Sequence, residues 1–208
     1  MFAPRIRRFV FLGLAGFGLA GCSGGDQWAT EYADLIDPNV SKNWRIANID
    51  VRVPESLSVS EANSFAPDAD IVWREEPLAN RHQQVDRIIT RAAQIGSGQL
   101  TGARAVNLVV QVSEFHALTQ KARTTLQNSG VHNITFTAQV LDAKTGVELT
   151  PVDTIRADLV GFSGAQAVEA VKQGQTQRVR IIAHVSQVIA GWLGHGPDVR
   201  STFSRNGR

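Results

Sequence analysis

Two hydrophobic periods take turns along this chain. In "WRIANIDVRV" the residues Ala47, Ile49, Val51 and Val53 alternate with polar neighbours, the period of a half-buried strand, and Pro54 closes it. "SLSVS" reads as a short edge strand and "DADIVW", Asp68 to Trp73, as another. The period then lengthens: Val85, Ile88, Ile89, Ala92 and Ile95 recur at helical spacing behind an Asn80/Gln83 capping pair, with Gly96 and Gly98 as the stop. Alternation returns in "ARAVNLVVQVSEF", where Val106, Leu108, Val110 and Val112 share one face and Val109 lies on the other. It continues in "HNITFTAQVLD", with Ile134, Phe136, Ala138 and Val140 inward. "DAKTG" predicts a turn with Gly146 left-handed, "VEL" a short return, and "DTIRADLVGF" a last strand through Ile155, Ala157 and Leu159. A closing helix is predicted from Ser163, capped with Gln166, toward Leu193, bent or broken at Gly174. Val168, Val171, Val179, Ile182, Val185 and Ile189 lie on its inner side.

Helices flanking a block of strands predict an α+β fold, a two-layer sandwich with a mainly antiparallel sheet and two helices packed on one face. The domain is expected over residues 44–194, behind a flexible tether at 22–43 and ahead of a disordered tail at 195–208. Trp44, Trp73 and Trp192 are expected in the core.

Ahead of the tether the pattern is neither strand nor amphipathic helix. Arg5, Arg7 and Arg8 precede an apolar run from Phe9 to Leu19, the order of an export signal over residues 1–21. That run spans only ~16 Å as a helix, too short for a bilayer. It ends in Leu19-Ala20-Gly21-Cys22, and this quartet resembles the lipobox of bacterial lipoproteins. The resemblance implies that signal peptidase II recognises Leu19, Ala20 and Gly21, and that the Cys22 sulphur carries a diacylglyceryl group. Ser23 rather than Asp after the cysteine implies sorting to the outer membrane, on its periplasmic face. Trp28, six residues on, is expected near the head groups.

Charge changes meaning once that segment is set aside. Three of the 21 basic residues and none of the 19 acidic ones lie in residues 1–21, so the remainder carries a formal charge of −1. A basic surface for nucleic acid is therefore not expected. Cys22 is the only cysteine, so its acylation leaves no thiol for a disulfide, a metal or a nucleophile.

The remaining candidates for chemistry are sparse. His116 and His132 fall at facing ends of neighbouring strands, but neither HExxH nor a Cys/His cluster accompanies them, so no metal and no cofactor is expected. "GFSG" is one residue short of a nucleophile elbow, and "GSGQLTG" lacks the Lys-Ser/Thr of a phosphate loop. Glu75 and Glu76 read as solvated charge. The run from Phe115 to Asn133 is long for a strand connection and carries His116, Lys121 and Arg123, a candidate partner-binding loop. The bland alternative for it is a short helix covering one sheet end.

"FHALTQKAR", "DIVWREEP" and "DAKTG" resemble an uncharacterised family of Gram-negative lipoproteins of unknown function. "ITFTAQVLDAKTGVEL" is more distantly similar to penicillin-binding-protein activator and curli-secretion lipoproteins, which implies a periplasmic domain that binds other envelope proteins. No membrane-spanning hairpin segments accompany it. The sequence thus predicts no enzyme. It predicts a membrane-anchored binding or scaffolding module with an envelope protein as partner, or alternatively a transporter auxiliary carrying an apolar ligand.

Overall fold

The computed structural model describes residues 28–200. The signal segment, Leu19, Ala20, Gly21 and Cys22 lie outside the described residues. In chain order the elements are β1 (Thr30–Glu31), α1 (Pro38–Ser41), β2 (Trp44–Arg52), β3 (Ile71–Val72), α2 (Arg81–Ser97), β4 (Arg104–His116), α3 (Gln120–Thr125), β5 (Val131–Asp142), β6 (Asp153–Ala157), β7 (Leu159–Val160), α4 (Gly164–Lys172) and α5 (Gln177–Trp192). The sheet order is β1-β6-β5-β4-β2, with β3 also on β4 and β7 also on β5.

Every pairing that involves β5 or β6 is antiparallel, so the sheet is mostly antiparallel as the sequence predicts. Only β2 and β3 join β4 in parallel. The reason is α2: it carries the chain back to the starting end of the sheet, as a parallel neighbour requires. Together α2 and α5 cover one face, and Val85, Ile88 and Ile89 join Leu108, Val110, Phe136 and Ile155 in one apolar core. The opposite face carries Asn107, Gln111, Thr135 and Thr137 and is partly to fully exposed.

Two bulges correct the alternation. In β2 the register slips between Ile46 and Asn48, so Trp44 and Ile46 face the core ahead of the slip and Ile49 and Val51 after it, while Ala47 is exposed. In β4 a slip between Val112 and Glu114 turns Phe115 inward, where it meets Trp73 edge-on at 5.8 Å. Trp44, Trp73 and Trp192 are all buried. The "SLSVS" segment makes one bridge, Val59 to Ile71, and "VEL" one, Glu148 to Leu141. Gly146 takes φ 73° in a turn whose Asp142 carboxylate accepts the Lys144 and Thr145 amides.

Helix ends obey local chemistry unevenly. Asn80 caps α2 by accepting from Gln83 N, but the helix runs through Gly96 and ends at Gly98, and Ile95 is exposed. The closing helix is two helices, parted at Gly174 with φ 73°. Ser163 does not cap α4; its hydroxyl bonds Ser129 N and Ser129 O instead. The inner side of α4 is Ala167 and Ala170, while Val168, Val171 and Val179 are exposed.

Both expected boundaries move outward. Of the expected tether at 22–43, residues 22–27 lie outside the described residues and the rest is fastened to the domain: Ala29, Thr30 and Tyr32 are buried and Ile36 N donates to Trp192 O at 2.9 Å. Instead of disorder from 195, the Tyr32 hydroxyl donates to Asp198 at 3.2 Å and Arg200 lies over its ring, 5.3 Å from the centroid. Residues 201–208 lie outside the described residues.

Gly96 marks the closest approach of the two covering helices: a Cβ there would stand 2.5 Å from Ser186 O and 3.0 Å from Ile189 Cβ. A mid-helix Gly→Ala substitution ordinarily stabilises by about 0.5–1 kcal/mol. Gly96→Ala is expected to do the reverse, at a net cost of about 1–3 kcal/mol from overpacking, read as a lowered midpoint in thermal or urea unfolding.

Candidate functional site

The connection from Ala117 to Gly130 holds α3, capped by Thr119 onto Ala122 N at 3.1 Å, so the long loop is a short helix at the sheet end. It does not gather His116, Lys121 and Arg123 into one site. His116 bonds Ala69 O and pairs with Glu114 at 3.5 Å. Lys121 is exposed, its Nζ 4.8 Å from the centre of the Phe65 ring. Arg123 is turned inward, 3.6 Å from Glu75. His132 does not meet His116, because Asn133 is the residue opposite His116 and His132 lies on the other face, fully buried.

Glu75 and Glu76 are not solvated. The Glu75 carboxylate accepts Gln177 N at 2.9 Å and Arg178 N at 2.7 Å, which closes the N-terminus of α5. An acid at that pole satisfies free amides and complements the helix dipole. Glu76 pairs with Arg87 at 3.6 Å and Arg178 at 3.5 Å. Nearby, the buried Arg81 grips Glu61 at 2.6 and 3.0 Å and also donates to Glu76 O and Pro77 O. This acid-rich turn is a joint between α2, α3 and α5. Glu75→Ala is expected to destabilise the fold by about 1–2 kcal/mol, as loss of a helix cap does, while Glu75→Asp retains part of it in the same unfolding measurement.

A second polar cluster holds the first strand. The buried Asp158 accepts Ala29 N at 3.3 Å on one oxygen and Ile134 N at 3.1 Å on the other, and Arg156 approaches at 3.3 Å. The Thr30 hydroxyl donates to Asp158 O and lies 3.2 Å from His184 Nε2. A hydroxyl beside an imidazole suggests a nucleophile and its base, yet Thr30 has no exposed surface and its hydroxyl also lies within reach of a backbone carbonyl. The group is a clasp between β1, the β6–β7 junction and α5. Burial first, and the Arg180 charge after it, bring His184 down to about 4 and His132 down to about 3. Burial also raises Asp158.

Both imidazoles titrate below the usual value of about 6.5, so the unfolded chain binds their protons first. Stability is therefore complete above pH 6.5 and falls as the pH drops toward 4; the raised Asp158 acts in the opposite sense at the acid end. The thermal midpoint is expected to decline from pH 7 to pH 5, and to decline less steeply in His184→Gln.

Beside this cluster an open hollow of about 370 Å³ is lined by Asp158, Arg180 and His184. Two larger concave regions among the described residues lie at opposite ends. Between α3 and α4 a groove of about 530 Å³ is lined by Arg123, Gln127, Ala167, Val168 and Val171. At the other end a cup of about 490 Å³ has Trp44 and Trp192 in its wall, with Leu35, Val40 and Val152 around it. Its rim carries Asp34, Asp37 and Asp153, the last accepting Trp192 Nε1 at 3.1 Å. Nothing in the local pattern announced this cup, since its walls come from residues 33–44, 149–153 and 192. The sequence signal was the pair of core tryptophans, which gives no partner. Among the described residues no group of three or more His, Cys, Asp or Glu could hold a metal ion.

Residues 44–208 match the model of a family of unknown function, DUF6778. The chain belongs to that family. No curated relative matches the sequence. Among solved structures, the fold is similar to the PelC dodecamer of Paraburkholderia phytofirmans (11% identity, 78% of this chain and 95% of that chain, TM-score 0.36). It is also similar to a Xanthomonas campestris protein of the DUF330 family (13% identity, 77% and 88%, TM-score 0.42). A third is a presumed lipoprotein of Caulobacter crescentus (16% identity, 52% and 82%, TM-score 0.28). No helix among the described residues is long and apolar enough to cross a membrane.

Proposed function

We propose that this DUF6778 chain is a lipid-anchored, non-catalytic binding module of the cell envelope, acylated at Cys22 and held on the periplasmic face of the outer membrane. One contrast carries the reading. The side chains best suited to chemistry are tied into the fold: Glu75 to two helix amides, Asp158 to Ala29 N and Ile134 N, and Thr30 to a carbonyl. The apolar cup beside Trp44 and Trp192 stays open. A concave apolar surface with a few polar groups at its rim is what ligand sites look like. The lipobox places an acyl anchor six residues ahead of Trp28, and a multiply acylated cysteine holds a membrane stably where one chain does not.

A second reading has its own support. The cup is lined mainly by apolar residues and lies where the sheet and α5 end, as a carrier of an apolar ligand needs. The two readings separate at Val152 and Val40. A photo-crosslinker at Val152 is expected to capture a discrete envelope protein, and Val40→Arg to abolish that capture. A carrier would instead show a co-purified lipid by native mass spectrometry, displaced by Val40→Trp. For the anchor, Cys22→Ser is expected to lose palmitate labelling, retain the leader and leave the outer-membrane fraction. A variant unchanged in all three respects would sink the proposal.

A further inference from the structure

Exposed valines occur at both ends of the sandwich, so exposure alone does not orient the domain. At the cup end Val40, Val147 and Val152 are 49%, 58% and 59% exposed, and the charges beside the cup are Asp34, Asp37 and Asp153. At the opposite end Val160, Val168, Val171 and Val179 are 42%, 58%, 45% and 42% exposed. The charges there are mainly positive. Lys121 and Lys172 are exposed, and Arg178 is partly so. Arg180 lies 3.3 Å from the centre of the Phe162 ring and donates to Val160 O at 2.7 Å. Against them stand Glu169, 3.7 Å from Lys172, Glu114, 3.5 Å from His116, Glu61, held by Arg74 and Arg81, and the pair Glu75 and Glu76, already engaged by Arg123, Arg87 and Arg178.

The entry of the chain breaks the tie. β1 runs antiparallel to β6 with Thr30 opposite Ala157, so the backbone traced from Thr30 back to Trp28 runs beside Asp158 toward Leu159 and Val160. The bond from Ala29 N to Asp158 fixes that direction. From Trp28 to Cys22 there are six peptide steps, a reach of at most ~22 Å when fully extended. The cup lies at the far end of α5, whose 16 residues span ~24 Å. A lipid on Cys22 therefore brings the bilayer to the β7, α3 and α4 end and leaves the cup on the far side.

We infer that this end is a second membrane contact. Val160, Val168 and Val171 enter the boundary between head groups and acyl chains, while Lys121 and Lys172 meet the phosphates of anionic phospholipids. A bilayer suits the surface better than a protein partner, because the anchor imposes its proximity and the charge has the complementary sign. Two weak attachments then act as one, the second being intramolecular once the first is made. The consequence for function is orientation: the cup points away from the membrane and toward whatever occupies the periplasm. The inference rests on acylation of Cys22.

The test uses the full-length acylated protein in vesicles of phosphatidylcholine and phosphatidylglycerol (three to one) containing a lipid brominated on its acyl chain. With Cys22 acylated, Val171→Cys or Val147→Cys supplies the one free thiol for an environment-sensitive fluorophore. Intact mass reports acylation separately. Quenching at position 171 is expected to exceed that at 147 at least fivefold, and to fall by half or more in Lys121→Glu/Lys172→Glu or in phosphatidylcholine alone. Equal quenching at the two positions in acylated protein would overturn this orientation and leave the anchor standing. A protein without acyl mass would overturn both. Absence of quenching in vesicles together with crosslinking from residue 171 to an envelope protein would reassign the surface to a protein partner and overturn the membrane contact.

Discussion

The buried carboxylate of Asp158 is the constraint on which the arrangement depends. It stands where β6 gives way to β7, and a buried carboxylate without partners there would be costly. Its oxygens are met by Ala29 N on one side and Ile134 N on the other. Those two bonds tie a two-residue edge strand to the centre of the sheet. A strand as short as Thr30–Glu31 has little pairing of its own to hold it. The Thr30 hydroxyl and His184 add the link to α5. Through that clasp, the point where the chain enters the domain becomes a fixed position rather than the end of a loose leash.

Once the entry point is fixed, the two ends of the molecule differ in kind. Both carry exposed valines, but one has the short helices α3 and α4 with Lys121 and Lys172 on its surface. The other has an apolar cup between two tryptophans with carboxylates at its rim. Between them α2 and α5 lie in close contact, which Gly96 permits by offering no side chain against Ser186 O. Their joint is reinforced at the α5 N-terminus by Glu75, which satisfies two amides there and attracts Arg123. Glu75, Asp158 and Thr30 thus each tie backbone groups of elements far apart in the chain.

The long periodic segments were legible. Val106, Leu108, Val110, Ile134, Phe136, Ala138, Val140, Ile155 and Ala157 are all core residues, as their alternation predicts. The cap at Asn80, the turn at Gly146 and the break at Gly174 follow from single residues acting on their own backbone. Misreadings fell where a distant segment intervenes. Ala47 is outside because a bulge shifts the face. Ser163 serves Ser129 instead of its own helix. Residues 29–43 and 195–200 read as linker because polar composition hides Tyr32, Asp198 and Arg200 holding one another. Of the candidate loop residues, Lys121 alone stayed on the surface as expected, while Arg123 and His116 found partners more than forty residues away in sequence.

By itself the sequence determined which of the long periodic segments are strands and helices and which face of the central strands is apolar, and it carries a lipobox-like quartet from which an anchor is expected. Each is a local property, set by a residue and neighbours within one or two turns. The tertiary structure alone decided what covers each face, which charges meet, where the cup opens and at which end the chain enters. Those depend on pairs such as Ala29 with Asp158, Glu75 with Gln177 and Trp44 with Trp192. Periodicity records that a side is apolar, but contact between parts far apart in the chain is what assigns that side a neighbour.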